Sequence, residues 1–140
     1  MYEIIQKLHS GFAYLAFLLL VIAVVNSFIG LFSKKDFTER DRKIALFALA
    51  AIHTQLLIGF VIYFVSPLGF SALGQMKDSA LRLTSLEHPL MNIIGIVLIT
   101  IGWMKHKKLT TSKSKFKTLS IYYGLGLVLI LSKIPWGLWF

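Results

Sequence analysis

The sequence predicts an all-α integral membrane protein, folded as an up-down-up-down four-helix bundle. Two observations predict this class. The first is composition: 56% of the 140 residues are hydrophobic and only 15% are charged, whereas a soluble domain is about 45–50% apolar and about 25% charged. The second is that the apolar residues form long runs, which a globule of this size cannot cover with polar groups. Together they exclude a soluble domain, a disordered tail and a nucleic-acid-binding module.

Each expected span follows from its length, because about 20 apolar residues at a rise of 1.5 Å cross the hydrocarbon core. The first span is uncharged apart from His9, and it is too long for a secretory signal peptide. Pro67 ends the second span, Pro89 marks the first turn of the third, and only Lys133 interrupts the fourth. The chain is therefore expected to be one membrane domain with spans at about 8–33, 44–66, 88–104 and 118–138.

The distribution of basic residues predicts the orientation of the bundle. The connections 34–43 and 105–117 hold five and six of the 15 lysines and arginines, and the second holds no acid. Lysine and arginine mark cytoplasmic connections, so the net charge of +9 is explained without a nucleic-acid partner. We expect a protein of the bacterial inner (cytoplasmic) membrane with both termini and the connection 67–87 in the periplasm.

The conspicuous polar residues in the spans are histidines. His9 opens the first span and His88 opens the third, so both lie at the same depth near the periplasmic surface. The two helices are diagonal in the simplest bundle, and two imidazoles facing inward leave room for a metalloporphyrin between them. Asn92 and Gly95 share the face of His88, where a glycine lets a flat ring approach the backbone. The expected cationic partners of a haem propionate are Lys133 and Arg82.

The other two histidines have different expected roles. His53 lies ten residues beyond Lys43, which places it about 15 Å into the membrane. It is either a haem ligand, part of a second haem site, a contact for a quinone headgroup, or a structural residue bonded to Asn26 or to a backbone carbonyl. His106 lies among lysines and is expected to be solvated at the cytoplasmic side. His9 and His88 also have a simpler interpretation as polar residues at a wet boundary.

Four short motifs resemble a known family. Residues 8–11 (LHSG), 53–59 (HTQLLIG), 87–91 (EHPLM) and 131–136 (LSKIPW) are similar to small four-helix membrane proteins of Bacteroidetes named as cytochrome b. The resemblance implies b-type haem, electron transfer and ligand roles for His9, His53 and His88. The chain departs from the family pattern at Lys133, where members often have arginine, and at Ala13–Tyr14, where they often have Arg-Trp.

Two classes of function therefore remain open. The first is a small membrane cytochrome that binds haem b and transfers electrons between quinol and a membrane or periplasmic redox partner. The second is a cofactor-free structural or assembly subunit of a larger membrane complex, for which Gly124 and Gly126 would provide close helix packing. A small transporter is disfavoured, because no acidic residue lies inside an expected span.

The orientation is testable with alkaline phosphatase, which is active only outside the cytoplasm. A fusion after Phe140 is expected to be active, and a fusion after Lys113 is expected to be inactive. The reverse pattern of activity would show that the bundle is inserted the other way round.

Overall fold

A computed structural model describes residues 1–139, and this part of the chain is all-helical, without a strand. The all-α prediction is confirmed. A 3-10 turn at Phe70–Ala72 and a π-helical turn at Leu83–Glu87 lie in the connection between the second and third long helices. The helices are α1 (Tyr2–Ser33), α2 (Glu39–Val65), α3 (Ser79–Arg82), α4 (His88–Lys108), α5 (Ser112–Ser132) and α6 (Trp136–Trp139).

The four long helices form a ring. Helix α1 packs against α2 and α5, and α4 packs against α5 and α2, so α1 and α4 are diagonal partners across the bundle. This is the arrangement expected for the helices that carry His9 and His88. The turn α3, the π-helical turn and α4 follow one another without a break, so that a single helical segment runs from Ser79 to Lys108.

Three helical segments are long and apolar enough to cross a membrane: Tyr2–Ser33, Glu39–Val65 and Ser79–Lys108. Helix α5 has 21 residues, which at the usual rise is about 31 Å, but Lys113, Lys115 and Lys117 occupy its first turns. It is not among the three. The first three expected spans therefore have counterparts of sufficient length and hydropathy, whereas membrane crossing by α5 remains a prediction.

The distribution of side-chain size is the reverse of that in a soluble bundle. Large apolar side chains face outward: Leu57 is 66% exposed and Phe64 is 65% exposed. Much of the buried interior consists of small residues, which let the helices approach closely. The buried small residues are Ala16, Ala23, Gly30, Ala45, Ala48, Ala51, Gly95, Gly102 and Gly126. An apolar exterior of this extent fits contact with lipid.

The ends of the helices differ from the expected spans because caps, rather than hydropathy, determine where a helix begins and ends. Helix α5 begins at Ser112, where the Thr111 side chain accepts a hydrogen bond from the backbone N–H of Ser114. The expectation of one continuous span to residue 138 is wrong, since α5 ends at Ser132 and α6 begins at Trp136. Pro135 explains the break, because it lacks a backbone N–H and disfavours helical geometry at the residue before it.

The connection between α1 and α2 is organised around a buried acid. Asp41 is 2% exposed and accepts hydrogen bonds from Asn26 and from both the N–H and the hydroxyl of Thr38, each at 2.9 Å. The Lys35 ammonium pairs with the same carboxylate at 2.9 Å. Because the charge of Asp41 is neutralised by Lys35 and its oxygens are satisfied, the acid ties the end of α1 to the start of α2.

Two glycines of α5 give a matched test of helix packing. A Cβ on Gly126 would lie 2.5 Å from Cγ1 of Ile99 and 2.7 Å from the carbonyl oxygen of Gly95, whereas a Cβ on Gly124 would meet its nearest atom, in Phe28, at 3.8 Å. Gly126→Ala is expected to destabilise the protein by about 1–3 kcal/mol through overpacking. Gly124→Ala is expected to be neutral or stabilising, since alanine favours the helix. Thermal unfolding in detergent measures both, and equal effects would contradict the packing described here.

Candidate cofactor site

The bundle brings His9 and His88 together. Their ring centroids are 6.4 Å apart and the ring planes are inclined at 81°. His9 lies near the start of α1 and His88 begins α4, so each reaches inward from one of the two diagonal helices. The two rings therefore lie side by side at one end of the bundle; their equal depth in a membrane stays a prediction.

The Nδ1 atoms of both imidazoles are already hydrogen-bonded. Nδ1 of His88 lies 3.0 Å from the carbonyl oxygen of Lys133, which can only accept, and also 3.0 Å from the amide nitrogen of Asn92, which can only donate, so the two contacts call for opposite tautomers of the ring. The Asn92 amide also donates to the carbonyl of His88 at 2.6 Å. The ring of His88 is therefore oriented by the end of α5 and by Asn92, and the tautomer that donates from Nδ1 to Lys133 leaves Nε2 unprotonated.

His9 is held by Gln55 of α2. The Gln55 amide nitrogen lies 3.1 Å from Nδ1 of His9 and 2.8 Å from its carbonyl oxygen. Since the amide nitrogen donates, Nδ1 of His9 accepts and the proton of the neutral ring lies on Nε2. Oε1 of Gln55 is buried and has no hydrogen-bond partner in residues 1–139. Gln55 therefore has an unused hydrogen-bond acceptor, Oε1, close to His9.

A cavity of about 210 Å³ surrounds the two rings at this end of the bundle. Gln55, Asn92 and Tyr63 line it together with both histidines, and most of the remaining wall is apolar. Gly59 faces His9, since a Cβ at this glycine would lie 3.6 Å from Cε1 of the ring. The cavity is thus an apolar space with a few polar groups, which is the lining typical of a small-molecule site, and its volume is smaller than the roughly 300–1,000 Å³ of most such sites.

The position of His88 depends on a replacement next to Pro89, where a hydrogen bond from a side chain takes the place of a backbone hydrogen bond. Proline has no N–H to donate to the carbonyl four residues earlier, which here belongs to Ser85. The hydroxyl of Tyr63 in α2 donates to that carbonyl at 2.8 Å instead. The π-helical turn Leu83–Glu87, which places the N–H of His88 on the carbonyl of Leu83, accommodates the proline. Turns of this kind are frequent at functional sites.

Glu87 neutralises part of the positive charge near this site. Its carboxylate lies 3.4 Å from Nε of Arg82 and 3.8 Å from Nζ of Lys133. Arg82 also donates to the carbonyl of Met76 at 3.0 Å. Lys133 and Arg82 therefore meet at the same acid, a relation that the sequence analysis did not anticipate. Two cations share one acid, so this corner keeps one positive charge in excess.

His53 does not join the pair. It lies outside the cavity, and its Nε2 is 2.9 Å from Oγ1 of Thr100 in α4. The Thr100 hydroxyl donates to the carbonyl of Ile96 at 2.7 Å, so its oxygen accepts from His53. The expected bond between His53 and Asn26 or a backbone carbonyl is absent from the described residues, because Asn26 is bonded to Asp41. His53 is a link between α2 and α4.

Two further expectations need correction. His106 is not solvated but 2% exposed, because the rings of Phe37 and Trp103 cover it at 5.7 and 4.6 Å. Gly95 does not face the cavity. A Cβ there would lie 2.8 Å from the carbonyl oxygen of Gly126, so this glycine serves the contact between α4 and α5. Sequence reasoning predicted neither the burial of His106 nor the role of Gly95, because neither can be deduced from the position of a residue along one helix.

Comparisons with known proteins do not add to this geometry. The chain matches no protein-family model, no curated protein and no solved structure. Within residues 1–139, no group of three or more histidine, cysteine, aspartate or glutamate side chains is placed to hold a metal ion. A functional hypothesis therefore rests on the pair of His9 and His88.

The bond between Tyr63 and Ser85 gives a test of how the site is held. Tyr63→Phe is expected to cost about 1–3 kcal/mol of stability, because a carbonyl that proline has already left without its helical donor loses its replacement. Tyr122→Phe is the matched control, since no hydrogen bond of its hydroxyl occurs within residues 1–139. Thermal unfolding in detergent measures both variants.

The same substitution in a Pro89→Ala background completes a double-mutant cycle. Alanine supplies a backbone N–H at position 89, so Tyr63→Phe is expected to cost less there than in the wild type. An equal cost in both backgrounds would contradict the exchange of hydrogen bonds.

Proposed function

We propose that this chain is a small b-type cytochrome of the bacterial inner membrane, in which His9 and His88 are the axial ligands of one haem b. In this proposal α1, α2, α4 and α5 all cross the membrane, both termini lie in the periplasm, and the haem lies near the periplasmic surface. Haem b would supply one-electron transfer, with quinol and a membrane or periplasmic redox subunit as the expected partners. The resemblance to small membrane proteins named as cytochrome b points to the same function.

The observation that carries the proposal is the separation of the two imidazoles. A metal–imidazole bond is about 2.0–2.1 Å long and a ring nitrogen lies about 1.1 Å from the ring centre, so two rings on opposite sides of one metal have centres about 6.3 Å apart. His9 and His88 have centroids 6.4 Å apart. This separation matches that of two imidazoles that would hold one metal between them, although the two rings belong to helices that are not direct neighbours.

The hydrogen bond of His88 supports a ligand role for this residue. Metal-binding histidines usually donate their second ring N–H to a carbonyl or carboxylate, which fixes the tautomer and the orientation of the ring. The contact of Nδ1 with the carbonyl of Lys133 at 3.0 Å has this form. It leaves Nε2 as the nitrogen that would bind iron.

His9 requires one local change to act as the second ligand. Binding through Nε2 requires the proton to lie on Nδ1, where the Gln55 amide nitrogen now donates. Rotation of the Gln55 amide would offer Oε1, which is buried without a partner in the described residues, as the acceptor for that proton. The chain thus contains the group that a ligating His9 needs.

The surroundings of the pair suit an apolar group with negatively charged substituents. The cavity wall is largely apolar, and the excess positive charge of Lys133 and Arg82 over Glu87 lies at the same end of α4 as His88. A propionate would have to compete with Glu87 for these cations. The protein's contribution would be to hold the ring through His9 and His88, to orient it and to exclude water.

The membrane placement has separate support. Three segments have the length and hydropathy of spans, large apolar side chains such as Leu57 and Phe64 face outward, and the basic connections lie together at the end of the bundle opposite His9 and His88. These observations hold whether or not the protein binds haem.

A cofactor-free structural or assembly subunit is the second candidate. The ion pairs of Lys133 and Arg82 with Glu87 favour it, because these cations already have a partner without a propionate. The close contact of Gly95 and Gly126 also suits a purely structural bundle. Haem binding separates the two candidates directly.

The test is the absorption spectrum of the protein purified after expression with excess haem. Two imidazole ligands are expected to give a six-coordinate, low-spin spectrum with sharp visible bands. His9→Ala and His88→Ala are each expected to lower haem retention by at least about tenfold or to give a high-spin spectrum, since ligand loss costs more than the 10–100-fold typical of outer-shell changes.

His53→Gln is the matched control, because His53 also lies on a membrane helix but is bonded to Thr100 outside the cavity. It is expected to keep the low-spin spectrum. Colourless wild-type protein, or an unaltered spectrum in both the His9 and the His88 variants, would overturn the proposal.

A further inference from the structure

The two connections at the far end of the bundle form one surface, here called the basic end and defined as residues 34–43 and 105–117. The backbone N–H of Phe37 donates to Oγ of Ser112 at 2.8 Å. The rings of Phe37 and Phe116 are 5.0 Å apart. These contacts join the connection between α1 and α2 to the connection between α4 and α5.

Most of the positive charge at the basic end is not neutralised by the protein. The buried Asp41 is paired with Lys35 at 2.9 Å, and Glu39 is paired with Arg42 at 2.6 Å. Asp36 is the remaining acid. In residues 1–139, no ion pair reaches the nine other cations of this surface, which are Lys34, Arg40, Lys43, Lys105, Lys107, Lys108, Lys113, Lys115 and Lys117.

Several of these cations lie directly beside aromatic rings. Nζ of Lys105 lies 5.3 Å from the ring centre of Tyr122, and Nζ of Lys107 lies 6.0 Å from that of Trp103. Lys115 has the same relation to Phe37, at 5.3 Å. Aromatic rings are typical of the level at which hydrocarbon meets the headgroups. The ammonium groups are therefore set just above that level.

An exposed apolar belt begins next to the same cations. Met104, immediately before Lys105, is 55% exposed, and Phe32, two residues before Lys34, is 76% exposed. A molecule with a phosphate at one end and acyl chains at the other could contact both parts at once. A nucleic acid or an acidic protein segment would meet the cations but leave the apolar belt uncovered.

We infer that the basic end is a binding surface for anionic phospholipid. The unpaired lysines and arginines of the basic end attract the phosphates of the headgroups, and the acyl chains lie along the exposed apolar faces beside them. Clusters of lysine next to the end of a membrane helix have this affinity because each cation adds to the attraction. The inference rests on the membrane placement proposed above, and it does not depend on haem.

The experiment measures retained lipid. The full-length protein is purified in detergent, exchanged with equal amounts of phosphatidylglycerol and phosphatidylcholine, and analysed for bound phospholipid. The wild type is expected to retain phosphatidylglycerol preferentially, and high salt is expected to reduce the preference. Inorganic phosphate at the same concentration is expected not to displace the lipid, since it lacks the acyl chains.

Two sets of variants remove charge from opposite ends of the bundle, three lysines from the basic end and two from the other end. Lys107→Gln, Lys108→Gln and Lys113→Gln combined are expected to lower the preference for phosphatidylglycerol by about tenfold or more. Lys7→Gln combined with Lys77→Gln removes charge from exposed lysines at the opposite end, and is expected to leave the preference unchanged. Lys107→Arg, Lys108→Arg and Lys113→Arg combined keep the charge and are expected to keep the preference, which separates an effect of charge from an effect on folding.

Three outcomes would overturn the inference: equal retention of both lipids by the wild type, an unchanged preference in the glutamine variant, or displacement of the lipid by a short RNA or an acidic peptide. The haem spectrum is recorded on the same samples. A colourless protein that still selects phosphatidylglycerol contradicts the cytochrome proposal alone, and a coloured protein without selectivity contradicts this inference alone.

Discussion

The close approach of α4 and α5 is the constraint on which the rest of the structure depends. Gly95 and Gly126 lie backbone to backbone at the crossing, and any side chain at either position would push the helices apart. This contact sets where α5 ends relative to the start of α4. Only because of it does the carbonyl of Lys133 reach the ring of His88. The geometry of the imidazole pair thus depends in part on two residues that do not touch it.

The position of a residue along its helix is the feature of this protein that sequence reasoning predicts best. Run length and hydropathy predicted four spans, and three segments of the structure have the length and hydropathy to cross a membrane. Counting residues along the spans also placed His9 and His88 at the same end of the bundle, where their rings are 6.4 Å apart. The same count could not find Gln55 or Glu87, because their roles arise from contacts between helices rather than from position along one. It failed for His106, since burial by Phe37 and Trp103 depends on how two connections fold over each other.

The two ends of the bundle differ in how much of their charge is neutralised within the protein. At the end with His9 and His88, Glu87 draws two cations together and the neutral amides of Gln55 and Asn92 arrange the rings. At the opposite end, the carboxylate of Asp41 pairs with Lys35 and accepts a hydrogen bond from Thr38, and these contacts hold the connection between α1 and α2. The remaining lysines are therefore left to interact with the surroundings. The end with His9 and His88 thus keeps a small excess of positive charge, whereas the opposite end keeps a large one.

The hydrogen bond of the Tyr63 phenol limits where the length of this chain could change. Because a side chain of α2 completes the backbone of the helical segment that contains Pro89, the end of α2 and the start of α4 must stay in register with each other. Residues added close to either end would shift that register and leave the Ser85 carbonyl without a donor. Length changes in the connection between α2 and α4 should therefore be confined to its middle, around Gly74 and Gln75, where both residues are exposed and a Cβ on the glycine would meet nothing within 4 Å.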